Sequence, residues 1–187
     1  VLLLGVLSNA AETGEYFAVS RLAQLVSLPL VIVAAVLAPR FAEFDALGER
    51  GKLQSVITLG AHFSLWPTLF IAAVMASFPV FFLAIFGEEY QDARVVLFVL
   101  VAAQVFNVAM GPSGTLMNMT GHQASTAMLL GAVVMLNLVL NVALIPPLGA
   151  LGAGIANAVA MLFWNLGAYV YVRRRLRVEP SVIHSFR

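Results

Sequence analysis

The side chains of this chain that could do chemistry are mostly amides, and they are spaced like the faces of helices. Gln104, Asn107 and Gly111 stand at i, i+3 and i+7; Asn137 and Asn141 at i and i+4; Asn157 and Asn165 at i and i+8, with Trp164 beside them. Upstream, Ser20, Gln24 and Ser27 repeat the pattern, with Arg21 among them. Such spacings put each set on one helix face. Their surroundings are what matters, because residues 95–172 include no Asp, Glu, Lys or Arg. A stretch that long without charge has lipid rather than water as its solvent. Amides turned toward hydrocarbon would be unsatisfied, so these faces are expected to turn inward. Two roles are open to them. They are interhelical hydrogen bonds worth ~0.6 kcal/mol each, or they line a hydrated cavity.

Arg21 is the only cation well inside an expected span, about 10 Å from its outer end at 1.5 Å per residue. Either it snorkels outward or pairs with a carboxylate such as Glu15, or it faces the cavity and binds an anionic group such as phosphate. No acid lies in the interior of the spans, so neither a proton relay nor a site for an organic cation is visible.

Enzyme chemistry has little to stand on. The two Asp residues, Asp45 and Asp92, fall in opposite loops, and no Ser/His/Asp set is present. There is no Cys, and His62, His122 and His184 are far apart, which argues against a metal site and any metal cofactor. His62, one turn after Thr58, reads as a hydrogen-bonded packing histidine, with a proton carrier as the other reading. A net charge of +1 with no basic stripe gives no reason to expect nucleic acid.

The elements that must position the amides are membrane helices. The composition is 61% hydrophobic and only 10% charged, against roughly 25% charged in soluble proteins. Charge gaps and turn residues predict an all-α, polytopic bundle of about five full spans plus a truncated N-terminal one: 1–10, 14–39, 53–86, 93–119, 123–145 and 148–172. Residues 1–172 form the bundle and 173–187 a basic cytoplasmic tail. The opening Val-Leu-Leu-Leu, without Met or a basic flank, reads as a cut inside a hydrophobic helix. Pro29 and Pro67 fall in mid-span and should kink their helices, leaving carbonyls that need partners from neighbouring helices. Gly111, Pro112 and Gly114 interrupt 93–119 and are candidate hinges. Pro146-Pro147 and Gly149 mark a turn, and the small residues of 148–156 permit close helix packing.

Arg40, Arg50 and Lys52 lie in one loop, and Arg173, Arg174, Arg175, Arg177 and Arg187 in the tail, whereas Glu88, Glu89 and Asp92 fill another loop. Positive charge marks the cytoplasmic side, so the C-terminus is expected there.

These residues resemble a family. Gly14-Glu15-Tyr16-Phe17-Ala18-Val19-Ser20-Arg21-Leu22 is similar to the GxYxxAxRL opening of polysaccharide biosynthesis membrane proteins, and Leu37-Ala38-Pro39-Arg40-Phe41 to one of their helix ends. Phe86-Gly87-Glu88-Glu89-Tyr90, followed by Ala93, resembles their FGxxYxxA loop. Leu116-Met117-Asn118-Met119-Thr120-Gly121-His122 resembles LLxxTGh, and the run from Leu136 through Asn141, Ile145-Pro146 and Gly149 to Ala156 resembles lNxxLNxxLIPxxGxxGAAiA, with Gly154 where Ala is commoner. Each match is degenerate; their order and spacing, from residue 14 to about 165, carry the resemblance.

The resemblance is to the O-antigen and teichoic-acid flippase type of the multidrug/oligosaccharidyl-lipid/polysaccharide exporter superfamily. It implies two bundles of about six helices around a central cavity that opens alternately to each side, with this chain as the C-terminal bundle and an N-terminal bundle of the same protein as its partner. It implies a lipid-linked oligosaccharide, a precursor of lipopolysaccharide or a similar polymer, moved across a bacterial cytoplasmic membrane. On that expectation Arg21 attracts the pyrophosphate, and Gln24, Gln104, Asn107, Asn137 and Asn141 line the cavity beside the sugars. Two other readings stay open. A drug or cation antiporter of the same superfamily requires a membrane carboxylate upstream. A non-transporting scaffold for glycan assembly would tolerate changes on the cavity face but not in its loops.

Overall fold

A computed structural model describes residues 2–87, 90 and 93–181. The acidic loop residues Glu88, Glu89 and Asp92 and the tail beyond 181, with His184 and Arg187, lie outside the described residues. The described residues form helices α1 (Leu2–Leu7), α2 (Ala10–Val26), α3 (Leu28–Ala46), α4 (Arg50–Ser77), α5 (Pro79–Ala84), α6 (Arg94–Ala109), α7 (Ser113–Met119) and α8 (Gln123–Arg175), and no strand among them. α4 and α8 are each long and apolar enough to cross a membrane; counting the bent pairs α2/α3 and α6/α7 as one span each gives up to four.

The expected single helix over 14–39 is two helices meeting at 51°. Pro29 sits in the first turn of α3 rather than in mid-helix, where its missing N–H costs nothing and its fixed φ suits the helix start. The break strands backbone carbonyls. Thr68 of α4, fully buried, donates to the Val26 carbonyl at 3.0 Å, and Ser27 Oγ to that of Gln24 at 3.0 Å. Neighbouring hydroxyls thus satisfy the freed groups, as a lipid environment demands. Helix α3 then runs through Pro39 to Ala46, past the boundary expected from that proline. The overlong 53–86 resolves into α4 and the short α5, broken at Phe78 and Pro79.

α8 is one element in name only. Gly149 holds non-helical angles, φ 54 and ψ −131, and the arms on either side fold back on each other. Ser125 Oγ donates to Tyr171 Oη at 2.9 Å, and Asn137 Nδ2 to the Ala156 carbonyl at 3.4 Å. A Cβ on Gly167 would stand 2.7 Å from Leu129, and Gly152 has room for none beside the Leu144 backbone. These pairs are symmetric about the 147–149 turn, so α8 is an antiparallel hairpin. The small residues of 148–156 are what let its arms meet. A Cβ at Gly149 would strike the Glu12 carboxylate and would strain a left-handed φ. Gly149→Ala should therefore cost about 1–3 kcal/mol, read as a lowered unfolding temperature of the detergent-solubilised protein.

The same contacts sort the loops into two ends. Glu12 meets Gly149, and Gly14 meets Tyr90. At the other end Arg50 and Gln54 reach the backbone of Leu176 and Glu179, and His122 packs edge-on against Tyr171. The second end holds Arg40, Arg50, Lys52, Arg173, Arg174, Arg175 and Arg177. It also holds, among the described residues, the ion pairs Arg40–Glu43, Arg50–Asp45, Lys52–Glu49 and Arg173–Glu179.

Two apolar cores lie toward these ends. One joins Leu4, Val19, Leu22, Val26, Met75, Leu83, Leu97 and Leu100. The other joins Phe41, Leu53, Ile57, Leu116, Met117, Ala168, Val172 and Leu176. Elsewhere large apolar side chains face outward, Val36, Phe63, Phe70, Phe81 and Met128 among them, the surface a lipid-facing bundle presents.

Candidate functional site

Three crevices follow one another across the bundle and share residues, so together they form a trough. The first, about 550 Å³, is lined by Tyr16, Ser20 and Gln24 of α2 and by Asn137, Asn141 and Asn157 of α8. The second, about 360 Å³, keeps Asn137 and Asn157 and adds Asn107 and Trp164. The third, about 430 Å³, keeps Asn107 and Trp164 and continues along α3 to Gly111, Pro112, Gly114, Thr115, Asn118 and Asn165. Among the described residues, no side chain lining these three crevices is charged.

The amides divide into those held by the protein and those left to the trough. Asn141 donates to the Asn137 carbonyl at 2.7 Å and to Asn137 Oδ1 at 3.0 Å. Asn137 in turn donates to the Ala156 carbonyl across the hairpin. Their first role is to join the arms of α8, and their second is to present the remaining polar atoms to the crevice. Asn165 is spent on the Met161 carbonyl at 2.9 Å. Asn107 donates to Gln104 Oε1 at 3.3 Å, which fixes its orientation at the junction of the second and third crevices. Among the described residues, the side chains of Thr115, Asn118 and Asn157 make no hydrogen bond. A half-buried polar atom without a partner in the chain needs one from a cavity solvent or ligand.

Of the residues expected to line a cavity, Gln24, Asn107, Asn137 and Asn141 do so. Gln104 does not; it is buried between helices and acts behind Asn107. Arg21 is exposed beside the trough rather than in it. Its guanidinium stacks 5.0 Å from the Phe17 ring and donates to Gln24 Oε1 at 3.4 Å, so it touches the lining through one amide. Ser27, on the same expected face as Ser20 and Gln24, turns away because the helix ends there and its hydroxyl caps it.

The expected hinge is where α6 and α7 part, at 46°. Gly111 holds φ +72, a left-handed angle open to glycine at little cost. Ser113 Oγ donates to the Met110 carbonyl at 3.1 Å, closing the break. Gly114 has a separate reason to be glycine, since a Cβ would come within 2.8 Å of Trp164 Cζ2. The indole therefore lies against bare backbone and forms a wall common to the second and third crevices. Tyr16, Thr115 and Asn118 were not among the expected lining residues. Thr115 and Asn118 follow a break whose angle no periodicity foretells, and Tyr16 looked like part of a motif rather than of a face.

The chain is similar to a protein of the archaeon Haloferax volcanii described as a probable low-salt glycan biosynthesis flippase, Agl15. The two are 26% identical over 169 residues, which cover 86% of this chain and 34% of that protein. This chain thus spans about a third of the length of the curated relative it matches. No protein-family profile matches the chain, and no solved structure does. The relative is a transporter rather than an enzyme, in keeping with the reading of this chain as a non-enzyme. Apolar helices and this likeness together point to a membrane protein.

Proposed function

We propose that the chain is one bundle of a transporter that carries a lipid-linked glycan across a membrane by alternating access. One observation carries the reading: a trough whose described lining is uncharged, walled by amides, a threonine and an indole, crosses a bundle whose outside is apolar. Sugars offer hydroxyls to such amides and apolar ring faces to such an indole, while a lipid tail stays in the bilayer beside the bundle. The likeness to a glycan flippase supports the same class of cargo. Counting the two arms of α8 as two spans, and each bent pair as one, supports five crossings. The concentration of Arg and Lys at the α3–α4 turn and tail supports a cytoplasmic C-terminus. A second bundle of the same protein would supply the facing wall.

In this reading Arg21, beside Gln24 at the first crevice, holds the diphosphate that joins lipid to sugar, and Gln24, Asn107, Asn137 and Asn141 hold the sugars. The hinge at Gly111, Pro112 and Gly114 lets α7 change its angle as the bundles rock. The test is transport of a polyprenyl-diphosphate glycan by the full-length protein carrying Arg21→Ala or Arg21→Lys. A charge-assisted hydrogen bond is worth about 1.5–3 kcal/mol, so Arg21→Ala should slow transport by roughly 10- to 150-fold at low substrate, with Arg21→Lys recovering part of it. Unchanged transport by Arg21→Ala at normal protein level would remove Arg21 from the site.

A further inference from the structure

Beyond the end of α8 the chain reverses. Arg177 takes a left-handed φ of 56, which few non-glycine residues adopt, and the next four residues run back into the bundle. Val178, Pro180 and Ser181 are buried there. Glu179 is held on both backbone and side chain. Its N–H donates to Gln54 Oε1 at 2.7 Å, and its carbonyl accepts from Gln54 Nε2 at 2.9 Å. Its carboxylate accepts from Tyr169 Oη at 3.0 Å and pairs with Arg173 at 2.7 Å. These contacts set the Pro180 carbonyl directly against Gly111, where a Cβ has no room. Gly111 is the left-handed residue of the α6–α7 break, and it lines the trough.

We propose that residues 178–181 are a latch that holds the α6–α7 break in its present angle and so keeps the third crevice in its present shape. The latch is fastened by Glu179 to α4 through Gln54 and to α8 through Tyr169 and Arg173, and it bears on the hinge through Pro180. Releasing it frees Gly111 to change angle and lets α7, with Thr115 and Asn118, swing away from Trp164. The strap joins the Arg-rich end to the trough without touching cargo, so it sets when the trough opens to that end. As regulation of the transport site it rests on the reading above, but its placement of the hinge does not.

The test reads the trough directly. The chain has no cysteine of its own, so Thr115→Cys and, separately, Asn157→Cys in the full-length protein freed of other cysteines report the third crevice and the far end of the trough. The rate of reaction with a small, charged, water-soluble methanethiosulfonate is measured in each, with Glu179 intact, with Glu179→Gln, and with the exchanged pair Arg173→Glu/Glu179→Arg. Glu179→Gln should raise the labelling rate of the 115 position about fivefold, the factor that a loss of one pair's worth of stability gives. It should leave the 157 position unchanged, and the exchanged pair should return the 115 rate toward its original value. An unchanged 115 rate, or equal rises at 115 and 157, would overturn the latch, the latter because it marks general loosening. Failure of the full-length protein to move glycolipid would sink the transport reading and leave this result standing on its own.

Discussion

Gly111→Ala is expected to be the most destabilising single-methyl change in the described part of the chain. Two terms act together. An alanine at φ +72 sits in the left-handed region at a cost of about 1–2 kcal/mol. The added Cβ also meets the Pro180 carbonyl, a backbone atom held by the four contacts of Glu179, so either the strap or the α6–α7 break must move. Together these should cost about 3–4 kcal/mol. Gly121 provides the control, since it too has a positive φ, +80, but open space where its Cβ would go. Gly121→Ala should show the backbone term alone. The difference between the two, measured as urea or thermal unfolding in detergent, isolates the contact with the tail. Equal losses would mean that the tail contributes nothing at Gly111.

The second large effect falls on transport rather than on folding. Asn107, Asn137 and Asn157 occupy the shared walls of the three crevices, and Asn157 makes no hydrogen bond within the described chain. Changing all three to Leu keeps their bulk and replaces polar lining with hydrocarbon. Each neutral hydrogen bond to cargo is worth about 1 kcal/mol, so affinity for a glycan headgroup should fall roughly a hundredfold. The stability cost is confined mainly to Asn137, whose donation to Ala156 is long at 3.4 Å, and to Asn107, whose partner Gln104 is left buried. Asn157→Leu alone should leave the unfolding temperature unchanged and still weaken transport, measured side by side on the same preparation. A loss of stability without a loss of transport would return these amides to the role of interhelical hydrogen bonds.

Much of the bundle was legible because lipid imposes strict rules on sequence. Missing charge located the apolar segments, Pro146-Pro147-Gly149 located the hairpin turn, and the small residues after it explained how the arms approach. Asn137 and Asn141, at i and i+4, read correctly as one inward face. Their dual use could not be read, since only the geometry shows Asn141 bonded to Asn137 and Asn137 bonded across the hairpin. Arg21 illustrates the limit of charge as a signal: its lone position drew attention, yet its side chain stacks on Phe17 one turn earlier and reaches the trough only through Gln24. Helix breaks were foreseen at Pro29 and Gly111, but their consequences were not. A 51° bend at residue 27 moved Ser27 off the polar face, and the break at 111 brought Thr115 and Asn118 onto it. Pro39 shows the opposite failure, a proline that ends nothing, because α3 continues into a charged stretch where water can satisfy the freed carbonyl. The tail read as a basic extension. Its role as a strap depends on Glu179, the one acid beside the four arginines of residues 173–181, and on a contact with a glycine far away in sequence.

A trough that carries a lipid-linked glycan must deliver it to the far side of a bilayer. The most direct measurement reconstitutes the full-length protein in vesicles containing a polyprenyl-diphosphate oligosaccharide with a radiolabelled sugar. It follows the fraction of label that becomes accessible to an impermeant glycosidase on the far side. Transfer is expected from the wild-type protein, and loss of that transfer in the Asn107/Asn137/Asn157 triple leucine variant at equal protein per vesicle. Transfer by the triple variant at the wild-type rate, or none by the wild-type protein across several glycans, would contradict it.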